Sequence, residues 1–280
     1  MKNSKALVNK IIPFSSVDGE GNRMAIFLQG CNYNCLYCHN PETINLCINC
    51  GKCIESCNYG ALTMVDDKVN YNRAKCKNCD CCIAACDRNS SPKVLEMTVD
   101  DIVKEIEKVK FFISGITVSG GECTLQSEFL LELFKVVKKM GLTTFIDTNG
   151  STRLYENQQL LEVTDKTMID LKAFNSKENK ELVGLGNEMV LKNIEELAKK
   201  DKVYEIRTVV VPELLDNEYT IDMGSKLISK IDKNIIYKLI KFRSLGVREE
   251  LLKAYTPSQD YMNKLKEIAL KNGVKNVLIV

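Results

Sequence analysis

Eight of the nine cysteines from residue 47 to residue 86 repeat one spacing twice, and no other feature of the 280-residue chain restricts its fold as tightly. In "CINCGKCIESC", Cys47, Cys50, Cys53 and Cys57 are separated by two, two and three residues; in "CKNCDCCIAAC", Cys76, Cys79, Cys82 and Cys86 follow the same rule. This is the bacterial ferredoxin pattern, in which three closely spaced thiolates cap one 4Fe-4S cluster and the fourth ligates the other. The spacing predicts that Cys47, Cys50 and Cys53 share a cluster with Cys86, and Cys76, Cys79 and Cys82 with Cys57. The proline that usually follows the fourth cysteine is absent, with Asn58 and Asp87 in its place. Two tetrahedral zinc sites would also use eight thiolates, but three evenly spaced cysteines and an outlier in each half suit a cubane better. Taking Cys81 instead of Cys82 would break the match.

A second motif, "GCNYNCLYCHNP", holds Cys31, Cys35 and Cys38, spaced by three and then two residues, with no fourth cysteine nearby. Three thiolates on a cubane leave one iron open, as a catalytic zinc keeps one position for substrate. An open iron binds something. The alternative is a fourth ligand from elsewhere in the chain, such as Cys123.

The rest of the composition fits metal chemistry. The amino-terminal "MKNSKALVNKIIPF" is interrupted by Asn9 and Lys10, so it reads as neither secretory signal nor anchor, and no stretch is apolar for long enough to span a bilayer. We therefore expect a cytoplasmic protein, in which thiols stay reduced and cysteine clusters bind metal. A net charge of +2 gives no bulk case for nucleic acid or an anionic membrane. The single histidine, His39, makes a histidine-dependent triad plausible only beside the cysteines.

Strand-like and helix-like patterns alternate along the remainder. "RMAIFLQG", "GITVSGG", "LTTFIDTNG", "KTMIDLK", "VYEIRTVVVP", "NIIYKLIKF" and "VKNVLIV" read as strands. Helices are expected over 129–140, stopped by Gly141, over 187–200, and over 257–271, ended by Gly273. Thr98 and Asp101 form a capping box ahead of a stripe of Val99, Ile102, Val103, Ile106 and Val109. Such alternation implies a parallel sheet, open or closed into a barrel, with its site beyond the carboxyl ends of the strands. There the sequence places Gly120, Gly121 and Glu122, then Asp147, Thr148 and Asn149, then Asp170 and Lys172.

Together these motifs resemble the radical S-adenosylmethionine (SAM) superfamily, marked by Cys31, Cys35, Cys38 and the later "GGE". More narrowly, "VDGEGNR", "FLQGC", "CHNP", "VSGGE", "DTNG", "DLK" and "VVVP" occur in the order seen in activating enzymes of glycyl radical enzymes, and the insertion looks most like the YjjW-type branch. The resemblance implies an α/β fold, a partial (β/α)6 TIM-like barrel over residues 1–44 and 96–280, with a ferredoxin-like insertion over 45–95 carrying two 4Fe-4S clusters. It implies a third, site-differentiated cluster at the triplet, whose open iron is chelated by SAM. One electron then cleaves SAM to methionine and a 5′-deoxyadenosyl radical, which takes hydrogen from a backbone glycine of a partner enzyme.

By the same resemblance, Gly120 and Gly121 present backbone to the methionyl group and Glu122 helps bind its amino group. Asp147, Thr148, Met168 and Asp170 lie by the carboxylate, with a monovalent cation between them, while Lys172 and Arg207 are further cofactor contacts. For Arg207 the alternative is a strand ion pair with Glu205, two residues away on the same face. His39 shapes the cluster's surroundings. Glu20 stands where the family usually has proline, and Arg243 where related activators often carry histidine. A ferredoxin or flavodoxin is the expected electron donor, with the two extra clusters as the wire. Two other readings remain open: a radical enzyme acting on a small molecule, and a multi-cluster electron carrier without catalysis.

Overall fold

Eleven segments form strands: β1 (Lys5–Ser15), β2 (Arg23–Leu28), β3 (Leu62–Val65), β4 (Lys68–Tyr71), β5 (Leu95–Thr98), β6 (Gly115–Gly120), β7 (Thr143–Thr148), β8 (Lys166–Asp170), β9 (Val203–Val210), β10 (Ile236–Lys241) and β11 (Asn276–Ile279). The helices are α1 (Lys52–Glu55), α2 (Cys81–Ala84), α3 (Val99–Glu107), α4 (Ser127–Lys139), α5 (Gln158–Val163), α6 (Ser176–Val183), α7 (Glu188–Lys199), α8 (Asn217–Asp232) and α9 (Gln259–Lys271). This computed structural model describes residues 4–248, 250–252 and 254–280.

The main sheet has nine strands in the order β11-β10-β9-β8-β7-β6-β2-β1-β5, and β3-β4 is a separate hairpin. From β2 through β11 every neighbouring pair is parallel, while β1 runs antiparallel to both β2 and β5. Strands adjacent in sequence are thus adjacent in space from β6 onward, with helices as the crossovers. This is the α/β arrangement expected from the alternation.

The two faces of this sheet differ in chemistry. Ile26, Val118, Ile146, Ile169, Ile206 and Leu239 are fully buried and pack in one core with Leu133, Phe134, Ile194, Ile221 and Leu265 of the helices. One residue along each strand the side chains point the other way, and the cross-strand register pairs Phe27 with Ser119, Asp147 with Met168, Asp170 with Arg207, and Arg207 with Lys238. The second face is therefore largely charged and polar toward the strand ends.

The capping box at α3 forms as expected: Asp101 N–H donates to Thr98 Oγ1 (3.2 Å) and Thr98 N–H to Asp101 Oδ2 (3.0 Å). Helix ends shift by one or two residues from the expected positions. At α9, for example, Ser258 Oγ caps Tyr261 N–H (3.2 Å), leaving Pro257 outside. The sequence did not lead us to expect β1, β5, the β3-β4 hairpin, the short helices α1, α2, α5 and α6, or α8, whose N-cap Asp216 accepts from Tyr219 N–H (3.0 Å). Among the described residues no helix is long and apolar enough to cross a membrane.

Arg23, the first residue of β2, is 1% exposed and anchors the turn that precedes it. Its guanidinium donates to Thr117 Oγ1 (2.8 Å), Thr143 Oγ1 (2.9 Å), the Ile116 carbonyl (2.6 Å) and the Glu20 carbonyl (3.2 Å), and lies 3.8 Å from the Phe145 ring centre. The turn at Glu20, which lacks the family's proline, is thus held by Arg23. A lysine has one donor group and no planar fork to repeat this set. Arg23→Lys should lower unfolding free energy by about 2–4 kcal/mol, measured by denaturant unfolding; a change within about 0.5 kcal/mol would remove Arg23 from this role.

Candidate active site

A cavity of about 330 Å³ lies between the polar face of the sheet and the cysteine loop that follows β2. Cys31, Cys35, Cys38 and His39 line it from the loop side; Gly120, Gly121, Asp147, Thr148, Asp170, Lys172 and Arg207 line it from the ends of β6 to β9. Of the residues expected at a cofactor site, Glu122 and Met168 do not line it, being fully buried behind that surface.

The cysteine loop and the Gly-Gly-Glu turn are fastened to each other through backbone. Gly121 N–H donates to the Leu28 carbonyl (2.9 Å), Glu122 N–H to the Gly30 carbonyl (2.8 Å), and Gly30 N–H to the Thr43 carbonyl (2.8 Å). Gly120 has φ +123°, and a Cβ there would sit 2.2 Å from Leu28 N and O; a Cβ on Gly121 would sit 2.3 Å from the Gly30 carbonyl oxygen. Glycine is required because two backbones meet with no room between them.

Glu122 acts from beneath this turn. One carboxylate oxygen accepts from Thr124 N–H (3.0 Å), Thr124 Oγ1 (2.5 Å) and Thr148 Oγ1 (2.8 Å), and the other from Asn149 N–H (2.7 Å). Burial pushes its pKa up, against these hydrogen bonds. Its geometry makes it a tie between the β6 and β7 ends. The amide of Asn149 in turn reaches Cys31 Sγ (3.8 Å), which also accepts from Tyr33 N–H (3.4 Å).

The charged wall is a balanced set. Arg207 bonds Asp170 through Nε (2.9 Å) and forms an ion pair with Asp147, while Lys172 Nζ lies 3.0 Å from Asp170. Glu205, the intrastrand alternative, is 4.0 Å from Arg207 and pairs at 2.6 Å with Lys238. The principal partners of Arg207 are thus the two aspartates across the sheet. Burial alone would raise the Asp170 carboxyl, but Arg207 and then Lys172 pull it down to about 2. Burial raises Asp147 despite Arg207, and Ser119 Oγ donates to it at 2.8 Å.

The thiols meet the opposite electrostatics. Burial pushes Cys31 up to about 12 and Cys38 up to about 11, and raises Cys35, which Lys172 partly offsets. Thiolates at these positions require a positive centre to neutralise them. Three thiols lining one largely buried cavity are the residue types that an iron–sulfur cluster takes. Cys123 does not join them: it is fully buried, and its Sγ lies 3.3 Å from the carbonyls of Val118 and Asp147.

Residues 45–95 repeat their geometry as they repeat their cysteines. Asn49 and Asn78 both have positive φ and donate their N–H groups to Cys47 and Cys76 Sγ, each at 3.4 Å. Ala61 N–H donates to Cys57 Sγ (3.3 Å) and Ser90 N–H to Cys86 Sγ (3.4 Å). One small cavity is lined by Cys57, Cys76, Cys79 and Cys82 together. Cys53, pushed up to about 11 chiefly by burial, also feels the charges of Cys47, Cys82 and Cys86.

Sequence reasoning passed over Tyr33 and Tyr37. Both are 2% exposed and line the cavity, and among the described residues neither hydroxyl has a hydrogen-bond partner. Their position inside the cysteine motif was the available signal. His39 bonds the Arg243 carbonyl (2.8 Å) through Nε2 and stacks near Phe242 (5.9 Å), so what Arg243 offers to His39 is its backbone; its exposed side chain lies outside the cavity lining.

The family model of the radical SAM superfamily matches residues 25–223. The chain is 32% identical to the pyruvate formate-lyase 1-activating enzyme of Escherichia coli K12, over 96% of this chain and 98% of that protein. It is 30% identical to a protein of Haemophilus influenzae assigned as a glycyl-radical enzyme activating enzyme, over 98% and 96% of the two chains. It is 28% identical to the indoleacetate decarboxylase activating enzyme of Tractidigestivibacter scatoligenes, over 98% and 97%. Among solved structures, QueE from Escherichia coli shares the fold with a TM-score of 0.57 at 16% identity, over 99% of this chain and 94% of that one.

Proposed function

Because this chain belongs to the radical SAM superfamily, we propose that its cavity binds SAM against a 4Fe-4S cluster held by Cys31, Cys35 and Cys38. The chain is a radical SAM enzyme that activates a glycyl radical enzyme. The observation that carries the assignment of the site is the meeting, in one cavity, of three thiols, a paired-glycine backbone and a charge-balanced Asp/Arg/Lys wall. We also propose that the parallel strands form the partial (β/α)6 barrel, that residues 45–95 are a ferredoxin-like insertion with two further 4Fe-4S clusters, and that the chain is of the YjjW type.

When bound, the cluster supplies one electron to the sulfonium, giving methionine and a 5′-deoxyadenosyl radical that takes hydrogen from the partner's glycine. The chain's residues bind and orient. Gly120 and Gly121 offer backbone to the methionyl group at close range, and Glu122 fixes that turn rather than reaching the amino group directly. Lys172 and Arg207 offer cationic donors to the carboxylate. The guanidinium of Arg207 already bridges Asp147 and Asp170, so the neutralisation that the resemblance gives to a monovalent cation comes from the chain itself. Such a cation, at Asp147, Thr148, Met168 and Asp170, joins when Arg207 turns to the ligand.

The test is anaerobic reconstitution with iron and sulfide, reduction, and addition of SAM and a glycyl radical enzyme. 5′-Deoxyadenosine and a glycyl-radical EPR signal in the partner are expected. No 5′-deoxyadenosine from a fully clustered, reduced chain would leave the electron-carrier reading; 5′-deoxyadenosine without a protein radical would favour a small-molecule substrate.

A further inference from the structure

We propose that the two cysteine quartets of residues 45–95 work in series, with Cys47, Cys50, Cys53 and Cys86 as the site that hands electrons to the Cys31 cluster. The quartet of Cys57, Cys76, Cys79 and Cys82 lies upstream and reaches Cys31 only through that root site. This order rests on the reading that both quartets hold 4Fe-4S clusters.

The first observation is topological. The crossed ligation puts the first and last cysteines of the insertion, Cys47 and Cys86, on one cluster, so both tethers to the sheet emerge from it. The other quartet is held by the middle of the insertion, beside the β3-β4 hairpin: Tyr71, Ala61 and Leu62 line its cavity.

The second observation is a continuous bonded path. Cys31 N–H donates to the Ile44 carbonyl (3.0 Å), three residues before Cys47. The strap between them is clamped from both sides: Gln29 Nε2 donates to the carbonyls of Glu42 (2.7 Å) and Asn45 (2.6 Å). On the Cys86 side, Ser90 Oγ donates to the same Asn45 carbonyl (2.8 Å), while Ser90 N–H donates to Cys86 Sγ (3.4 Å). Asn45 Nδ2 donates to the Arg88 carbonyl (2.7 Å), and Ser91 N–H to the Glu42 carbonyl (3.0 Å). Two ligands of the root site, Cys47 and Cys86, thus converge on the strap that hydrogen-bonds the amide of Cys31.

The step is a one-electron transfer. A low-potential donor, a reduced iron–sulfur or flavin carrier protein, loses one electron; each cluster in turn is reduced and reoxidised by one, and no bond or proton changes place.

The experiment compares Cys50→Ala, Cys79→Ala and the parent after reconstitution, following each cluster by freeze-quench EPR on mixing with reduced ferredoxin. With three clusters the parent holds roughly twelve iron atoms and a variant that has lost its cluster about eight, so the iron count identifies the preparations to be compared. A parent with about four overturns both the cluster reading and the order. Given the full count, Cys50→Ala should trap electrons on the outer site and slow reduction of the Cys31 cluster by an order of magnitude or more. Cys79→Ala should slow it far less, and dithionite should reduce that cluster in both. Equal slowing in the two variants, or greater slowing in Cys79→Ala, overturns the order while leaving the clusters intact. Ser90→Ala keeps every ligand and releases the strap; it should retain the parent's iron and slow the Cys31 cluster's reduction, and an unchanged rate would remove the path through Asn45.

Discussion

Cys35→Ala is expected to abolish 5′-deoxyadenosine formation, down to the level of a chain without clusters, while keeping roughly eight of twelve iron atoms. Cys35 is 7% exposed and packs with Tyr33, Tyr37, Val183 and Phe242, so solvent does not compensate for a missing ligand. Burial resists its ionisation more than Lys172, its own backbone N–H and Arg248 favour it, so a thiolate there would need iron to neutralise it. With Cys31 and Cys38 alone, no cubane is held. The residues of the other two sites are separate in sequence and remain. Replacing a small buried thiol costs the fold about 1–2 kcal/mol, too little to unfold a domain of this size. Iron analysis and circular dichroism separate lost chemistry from lost fold. Cys123→Ala is the control: its sulfur lies against the Val118 and Asp147 carbonyls, so iron content and turnover should stay near the parent's. If Cys123→Ala instead loses iron and Cys35→Ala does not, the triplet has been misassigned.

Much of this arrangement was legible because it is local. The cysteine spacings, the Thr98 box and the glycines after α4 and α9 depend on neighbours a few residues away, and the structure has the box and both glycine stops. What stayed hidden depends on long-range register. Period-two reasoning put Arg207 and Glu205 on one face correctly, and Glu205 was therefore the natural partner to consider. Pairing of β8 with β9 sets Arg207 directly across from Asp170, and β7 brings Asp147 within reach. Glu205 meanwhile finds Lys238 on β10. No window of sequence contains those relations.

β1 was missed for a related reason. Asn9 and Lys10 break its apolar run, which excludes an anchor but also disguises a strand. In the sheet, Ala6 and Val8 are buried, and the register shifts between Val8 and Lys10. An irregular strand between two antiparallel neighbours leaves no clean alternation to find. Glu122 shows the limit from the other side. Its motif is unmistakable, yet its four hydrogen bonds all go to Thr124, Thr148 and Asn149, which makes it a support for the site's walls.

Gly120→Ala should cost at least ~10²-fold in SAM cleavage while every cysteine remains. The methyl group would sit 2.2 Å from backbone atoms of Leu28, and φ +123° is strained for alanine whatever the space. Since the obstacle is backbone rather than a flexible side chain, relief requires the β6 end and the cysteine loop to part by about 1 Å, the scale at which positioned chemistry loses two orders of magnitude. That parting would stretch Gly121 N–H to Leu28 and Glu122 N–H to Gly30, and so shift Cys31 relative to the Asp147 and Asp170 wall. Gly141→Ala also carries a positive-φ backbone penalty but no collision: φ is +77° and none of the described residues lies within 4 Å of its added Cβ. It should lose about 1 kcal/mol of stability and little turnover. If both variants lose stability alike but only Gly120→Ala loses 5′-deoxyadenosine, contact between the glycine turn and the cysteine loop positions the reacting groups. If Gly120→Ala turns over like the parent, that contact holds the fold together and the ligand is oriented from the charged wall alone.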